Sequence, residues 1–294
     1  MTQNSESEGE MQQVIACIDG SSAVPAICEY AAWASLRAQA PVMLLHVLDE
    51  DSYPVEPDLA GNIGLGSREH LLKELAELDQ RRSKLALEHG HHMLDEAEAR
   101  VQAAGVSDTH KRQRHGDLTE SVLALEEQTL LLVMGLHGES STGRDMHIGS
   151  QLETVIRNVH RPVLLVPDQF EAPDSAMLAF DGSATAFKGV ELLANNPVVF
   201  KNMPLHIVMI GADTAEHWAQ LDKAKEMLAP LGGETHLAIR EGDVEQTLHA
   251  YQAEHDIDVL LIGAYGHSRI RQFLVGSTTT SMLKTAKKPL LVLR

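Results

Sequence analysis

The sequence predicts an α/β fold of two tandem doubly wound domains, each with a five-stranded parallel sheet flanked by helices. One observation is a series of short apolar runs, rich in Val, Leu and Ile, that alternate with helical segments. Such runs are typical of strands buried on both faces of a parallel sheet. The series also occurs twice along the 294 residues. Finally, corresponding landmarks of the two series are equally spaced, as the following elements show.

Each series begins with a strand-like run that ends in Asp-Gly-Ser, at Asp19 in the first series and Asp181 in the second. A helical stretch follows, and then a second apolar run that contains Val47 or Met209. The interval from the aspartate to that residue is 28 positions in both series. The aspartates are interpreted either as turn residues that precede the helix or as hydrogen-bond acceptors for a nucleoside.

The later part of each series contains two further glycine landmarks. A Gly-Asp pair opens a helix at Gly116 and again at Gly242. A Gly-Ser pair then leads the last helix at Gly149 and Gly276, and a proline 13 residues farther on precedes the last strand. Equal intervals at separate places favour two homologous domains.

The expected domain boundaries are 11–168 and 173–294, joined by a short linker. The first domain is longer because of an insertion at about 50–85, which begins loop-like and continues as a charged amphipathic helix. Packing of this helix on its own domain is the favoured interpretation. The alternatives are that it covers the first site, binds a partner helix or extends a dimer interface.

Composition and charge exclude several classes of protein. A net charge of -18 opposes general binding to nucleic acid or to an anionic membrane surface. The two cysteines, Cys17 and Cys28, are too few for a disulfide framework and indicate buried thiols in a reducing compartment. The first residues lack the features of a signal peptide, and no apolar run is long enough to span a bilayer. We therefore expect a cytoplasmic protein.

The sharpest motif lies near the end of the second series. Gly263 ends a strand, Gly266 follows three positions later, and Gly276-Ser277-Thr278 opens the last helix. Exposed backbone N–H groups, a helix N-terminus and two hydroxyl groups are suited to binding phosphate. The alternative is that the glycines only permit a tight turn and close helix packing.

This pattern resembles the universal stress protein family, whose motif is G-x2-G-x9-G-S/T after a hydrophobic strand, with an aspartate at the end of the first strand. The resemblance covers nearly the full chain as two tandem copies and implies the adenine nucleotide alpha hydrolase-like fold. It implies that adenine and ribose lie near Ala179, Asp181 and the backbone of Met209. The phosphates would lie on Gly263, Gly266, Gly276, Ser277 and Thr278, often with magnesium.

The resemblance also bears on assembly. Members of the family pair their last strands across a two-fold axis. In a tandem chain the segments 163–166 and 290–293 are able to make that contact within one molecule. A homodimer of whole chains remains open.

The first copy departs from the motif, because ten residues rather than nine separate Gly138 from Gly149. The longer loop also contains Glu139 and Asp145 where phosphates would lie. Because carboxylates repel phosphates, we expect these two residues to weaken phosphate binding. The corresponding weaker candidate site consists of Cys17, Asp19, Val47, Gly135, Gly138, Gly149 and Ser150. We expect that site to be weak, metal-dependent or empty.

The leading hypothesis is a stress-response protein that binds ATP or another adenine nucleotide, chiefly in the C-terminal domain, with a regulatory or protective role. A nucleotide-free interaction scaffold is the first alternative, and a slow ATPase is the second. No catalytic constellation is recognisable, so we do not expect an enzyme. No metal site is predicted either, since the histidines at 89, 91 and 92 are interpreted as a solvated helix face.

Overall fold

The computed structural model describes residues 12–48, 65–136, 150–196, 198–263 and 288–293. Within them, ten strands form one continuous sheet with helices packed on both of its faces. The predicted α/β class and the five strands in each half are confirmed.

The elements follow one another in the order that the sequence predicts. The first half comprises β1 (Gln13–Cys17), α1 (Val24–Ala38), β2 (Val42–Leu48), α2 (Leu65–Ala103), β3 (Thr109–His115), α3 (Leu118–Leu123), β4 (Thr129–Gly135), α4 (Ser150–Asn158) and β5 (Val163–Val166). The second half comprises β6 (Ala176–Phe180), α5 (Ala184–Asn195), β7 (Leu205–Ile210), α6 (Ala215–Met227), β8 (Thr235–Arg240), α7 (Val244–Glu254), β9 (Val259–Gly263) and β10 (Leu290–Leu293). The helix that the sequence predicts between β9 and β10 lies outside the described residues.

The strand order of the sheet is β3-β2-β1-β4-β5-β10-β9-β6-β7-β8. Neighbouring strands within each half are parallel, and the second half repeats the order of the first. The halves meet where β5 and β10 pair antiparallel, with Leu164 opposite Leu291. We call this pair of strands the central junction. The pairing of the two last strands within one chain is thereby confirmed.

Antiparallel pairing at the central junction relates the two halves by an approximate two-fold axis perpendicular to the sheet. Helices α1, α2, α5 and α6 therefore cover one face, whereas α3, α4 and α7 cover the other. Because the strands of the two halves run in opposite directions, their carboxyl ends lie at opposite edges of the sheet. The two candidate sites are consequently separate.

The Gly-Asp pairs start helices as predicted. Gly116 and Gly242 have φ angles of 107° and 138°, in a region that side chains other than glycine's rarely adopt. Asp117 and Asp243 are the N-cap residues of α3 and α7, and each carboxylate accepts a hydrogen bond from a backbone N–H three residues on, at 2.8 and 3.1 Å. Local geometry therefore explains these two motifs without a ligand.

The segment between the halves is anchored on both sides. Phe170 packs edge-on against Tyr30 of α1, with ring centroids 4.7 Å apart. The carboxylate of Asp258 accepts hydrogen bonds from the backbone N–H groups of Asp174 and Ser175, at 3.0 and 3.2 Å. These contacts fix the path of the linker, and the domain boundaries 11–168 and 173–294 stay a prediction.

Helix α2 has 39 residues, three times as many as α6, its counterpart in the second half. Gly90, Leu94, Ala97 and Val101 are buried against the sheet and α1. Between residues 73 and 89, by contrast, no side chain that the structure describes is buried. Packing on the helix's own domain is therefore confirmed only for its C-terminal part, and the loop-like beginning of the insertion lies outside the described residues.

Candidate functional site

The second-half candidate site lies at the carboxyl ends of β6, β7 and β9. Phe180 is opposite Met209, and Ala179 is opposite the residue that precedes Gly263. Gly263, Phe180 and Met209 thus form a row across three adjacent strands, and Asp181 follows directly. The structure brings Ala179, Asp181, Met209 and Gly263 together at the edge where doubly wound sheets bind ligands.

Asp181 forms a local turn and keeps acceptor capacity. Its Oδ1 accepts a hydrogen bond from the backbone N–H of Ser183 at 3.0 Å, and its side chain is exposed. Ser183 caps α5, since its hydroxyl oxygen accepts from the N–H of Ala186 at 3.1 Å. The turn interpretation is correct for Asp181. Its second carboxylate oxygen has no hydrogen-bond partner among the described residues, so it is placed to accept hydrogen bonds from a ligand.

Asp19 is more fully engaged in its own turn. Its Oδ1 accepts two hydrogen bonds from Ser21, from the backbone N–H at 3.0 Å and from the hydroxyl at 2.5 Å. The side chain is also half-buried. The carboxylate of the first half is therefore less available to a ligand than that of the second half.

No local constraint among the described residues requires glycine at position 263. Its φ angle lies outside the positive range. A Cβ atom added there would lie 3.9 Å from the carbonyl oxygen of Thr185 and 4.0 Å from the Cα of Ala186, which are ordinary van der Waals contacts. Close packing therefore does not explain this glycine. Because Gly263 has no side chain, space remains beside the first turn of α5.

Several predicted phosphate-binding positions lie outside the described residues, namely Gly138, Gly149, Gly266, Gly276, Ser277 and Thr278. Ser150 begins α4, as the sequence predicts, but its side chain is outside the described part. Gly135 ends β4, as Gly263 ends β9.

Equal spacing along the chain does not produce equal strand register in the two halves. In the first half Cys17 is opposite Leu45, which aligns Ile18 with His46. In the second half Phe180, the counterpart of Ile18, is opposite Met209.

The first-half counterpart of Met209 is accordingly His46 rather than Val47. Met209 packs with the cluster under α5 and α6, whereas Val47 packs on the opposite face of the sheet. His46 is buried, and its Nδ1 lies 2.8 Å from the carbonyl oxygen of Ile18. Its Nε2 has no partner in the described part of the chain. Sequence reasoning missed His46 because its interval from Asp19 differs by one residue.

The two cysteines are buried free thiols, as predicted. Burial, together with the nearby charge of Asp19, raises the pKa of Cys17 to about 12. Burial also raises the pKa of Cys28 to about 12. Both thiols stay protonated at neutral pH, and they are consequently poor nucleophiles and metal ligands.

Among the described residues, no group of three or more His, Cys, Asp or Glu side chains is placed to hold a metal ion. His89, His91 and His92 are exposed on α2, in agreement with the predicted solvated face.

A cluster of imidazoles lies at the opposite end of β7 and β8 and was missed by the sequence analysis. The rings of His206 and His236 have centroids 4.5 Å apart, and those of His206 and His255 are 5.2 Å apart. Nδ1 of His206 lies 2.9 Å from the hydroxyl of Tyr251. Burial lowers the pKa of His206 to about 4, and the two neighbouring histidines add to this effect.

We expect the protein to lose stability as the pH falls from about 6.5 to about 4, and we expect His206→Gln to remove part of that loss. The unfolded chain binds a proton at His206 near the ordinary pKa, whereas the folded chain resists it. The contribution of His206 to stability is fully present above the ordinary pKa of about 6.5 and is lost below the lowered pKa of about 4. Melting temperatures of both proteins across this pH range test the expectation. His115→Gln, an exposed histidine on β3, is the control. If the difference in melting temperature between wild type and His206→Gln were the same at every pH, the expectation would be contradicted.

The fold and this edge site define a doubly wound α/β protein with a candidate ligand site at the carboxyl ends of its strands. The family model for the universal stress protein family matches residues 10–167 and 204–294. The chain is also 32% identical over 288 residues to "Universal stress protein Slr1230" of Synechocystis sp., covering 97% of this chain and 100% of that protein. The chain therefore belongs to the universal stress protein family.

Solved structures agree on the fold. A universal stress protein from Archaeoglobus fulgidus DSM 4304 superposes with a TM-score of 0.66 at 18% identity, covering 96% of each chain. The functionally unknown protein PA1789 from Pseudomonas aeruginosa PAO1 gives a TM-score of 0.56 at 15% identity, covering 96% of this chain and 92% of that one.

In the described part of this chain, no helix has the length and apolar character needed to cross a membrane.

Proposed function

We propose that this protein binds ATP or another adenine nucleotide, chiefly in its second half, and acts as a regulatory or protective stress-response protein in the cytoplasm. The observation that carries the proposal is Gly263, a glycine that neither its backbone angle nor its described neighbours require. It lies in one row with Met209, directly beside the exposed carboxylate of Asp181. Membership of the family is consistent with this role.

Each group of the nucleotide has a chemically matched partner in the proposal. The ribose hydroxyls donate to the carboxylate oxygen of Asp181 that is not engaged in the turn. The adenine lies along the backbone of Ala179 and Met209, where the strands end. The phosphates lie against Gly263, Gly266 and the Gly276-Ser277-Thr278 segment. Magnesium, when bound with a triphosphate, neutralises phosphate charge in a chain whose net charge is -18.

The first half is proposed as the weaker site, metal-dependent or empty. Two hydrogen bonds from Ser21 already engage Asp19, and a buried histidine, His46, replaces Met209 in the strand register. No group of residues in the described part suggests nucleophilic or acid–base catalysis on a nucleotide. We therefore propose a binding protein rather than an enzyme.

Calorimetric titration with ATP and AMP, with and without magnesium, tests the proposal. We expect measurable binding to the wild-type protein and at least a roughly tenfold weaker affinity for Asp181→Asn, because a hydrogen bond to a charged group contributes about 1.5–3 kcal/mol. Asparagine retains an oxygen that accepts from Ser183, so the turn is preserved.

Asp19→Asn is the matched control, and its affinity is expected to stay within about twofold of wild type because the second half binds most of the nucleotide. Absence of heat with either nucleotide at high protein concentration would contradict the proposed function. An equal loss of affinity in both variants would contradict only the assignment to the second half.

A further inference from the structure

The N-terminal part of α2, residues 65–89, has no buried side chain among those that the structure describes. It reaches the sheet near its end, where Gln113 of β3 donates a hydrogen bond to the carbonyl oxygen of Leu87 at 3.5 Å. We call it the projecting segment. Leu78 and Leu85 of this segment are 53% and 64% exposed. Leu75 precedes them and is half-buried. A lone exposed leucine is ordinary on a protein surface, but here the leucines share one side of a long helix.

The leucines do not continue the face by which α2 packs on its own domain. The buried face is defined by Gly90, Leu94, Ala97 and Val101. At 100° per residue, the stripe of Leu75, Leu78 and Leu85 is rotated by about 120° from that face. Straight extension of α2 thus leaves the stripe pointing away from the domain that carries it.

The spacing of the stripe is that of a two-helix coiled coil. Positions 75, 78, 82 and 85 follow the alternating intervals of three and four residues that form its seam. Arg82 occupies one of these positions, and its aliphatic stem is able to cover apolar surface while the guanidinium reaches water. Glu74 and Arg81 flank the stripe on the same side.

We propose that the projecting segment binds the projecting segment of a second copy of this chain, antiparallel, in a dimer that does not depend on nucleotide. With the two-fold axis near residue 77, Leu75 lies opposite the partner's Leu78, and Glu74 lies opposite the partner's Arg81. Both contacts occur twice by symmetry. Opposite charges beside an apolar seam determine the orientation of paired helices.

Length selects the same arrangement. An axis near residue 77 places residue 65 of one helix beside residue 89 of the other, so the overlap of about 37 Å ends where the packed part of α2 begins. The alternative with Leu75 opposite the partner's Leu85 sets Arg81 against its own copy. It also drives the end of one helix toward the domain that packs on Leu94. A parallel pair sets Arg82 against its own copy.

Two other parts of the sheet, the central junction and the outer strand β3, offer a second copy less than this helix does. The strands β5 and β10 are already paired with each other at the central junction. The outer strand β3 exposes charged side chains such as Lys111 and Arg112, a feature that opposes edge-to-edge pairing. The contact between two such helices is small, so we expect a dissociation constant on the order of micromolar.

Sedimentation velocity of the full chain over a wide concentration range tests the proposal. We expect a reversible monomer–dimer equilibrium for the wild-type protein and a monomer for Leu78→Glu under the same conditions. Leu36→Glu is the matched control, because Leu36 is 52% exposed on α1, away from the projecting segment. It should dimerise like wild type. A wild-type protein that stays monomeric, or a Leu78→Glu protein that dimerises unchanged, overturns the proposal.

The charge pair provides a test of orientation. Glu74→Arg sets two arginines against each other across the antiparallel interface and should weaken dimerisation several-fold. Combining Glu74→Arg with Arg81→Glu restores opposite charges and should return the affinity toward that of wild type. If the double variant is no tighter than Glu74→Arg alone, the antiparallel register is wrong.

Discussion

Replacing Gly263 by leucine is expected to abolish binding of adenine nucleotide, reducing the affinity at least about a hundredfold. The side chain would grow from the end of β9 into the space beside the first turn of α5, next to the row that contains Met209. In the proposed binding mode the phosphates lie against the backbone of Gly263, and a side chain at this position would occupy the space that they need. Calorimetric titration with ATP measures the effect.

Two further variants keep this prediction testable if the leucine protein is unstable. Gly263→Ala should melt like wild type, because the added Cβ makes only ordinary contacts of 3.9 and 4.0 Å, yet it should bind nucleotide more weakly. Gly135→Leu places the same side chain at the end of β4 and should leave most of the binding intact. Wild-type affinity in a folded Gly263→Leu protein would refute the assignment of the site.

Truncating Leu291 to alanine is expected to lower the free energy of unfolding by about 3 kcal/mol, within the range of about 2–5 kcal/mol measured for buried leucines. Leu291 is 1% exposed and lies opposite Leu164, which is fully buried, at the centre of the junction between the halves. The cavity therefore opens where both halves lose contacts at once. Urea unfolding followed by circular dichroism measures the change.

The exposed Leu36 provides the comparison, and Leu36→Ala should change the free energy of unfolding by less than about 0.5 kcal/mol. Leu164→Ala should resemble Leu291→Ala, and the double variant should cost less than the sum of the two because they share one cavity. Strict additivity would indicate that the two side chains do not pack together.

The sequence was sufficient for features that depend on local chemistry. The buried runs, the Asp-Gly-Ser turns and the helix starts at the two Gly-Asp pairs are each determined by residues within a few positions of one another. The internal pairing of β5 with β10 also followed, but from resemblance to a family rather than from the residues alone.

Other features depend on how distant segments align, which spacing does not reveal. Val47 and Met209 are equally far from their aspartates, yet a one-residue difference in strand register puts His46 in the position of Met209. The imidazole cluster likewise depends on strand register, because His206 and His236 become neighbours only through the pairing of β7 with β8. The Asp-Gly-Ser tripeptides of the two halves are identical, but their serine hydroxyls point to different partners. The Ser21 hydroxyl donates to Asp19, whereas the Ser183 hydroxyl caps α5.

The pairing of β5 with β10 has a consequence for the association of the two halves of the chain. Two separate chains joined by such strands would come apart on dilution, and their association would depend on protein concentration. Here a peptide linker holds both partners at a fixed one-to-one stoichiometry and a high effective concentration. Each half therefore always pairs with the same, non-identical half, and a sequence change at the strand ends of one half need not be matched in the other.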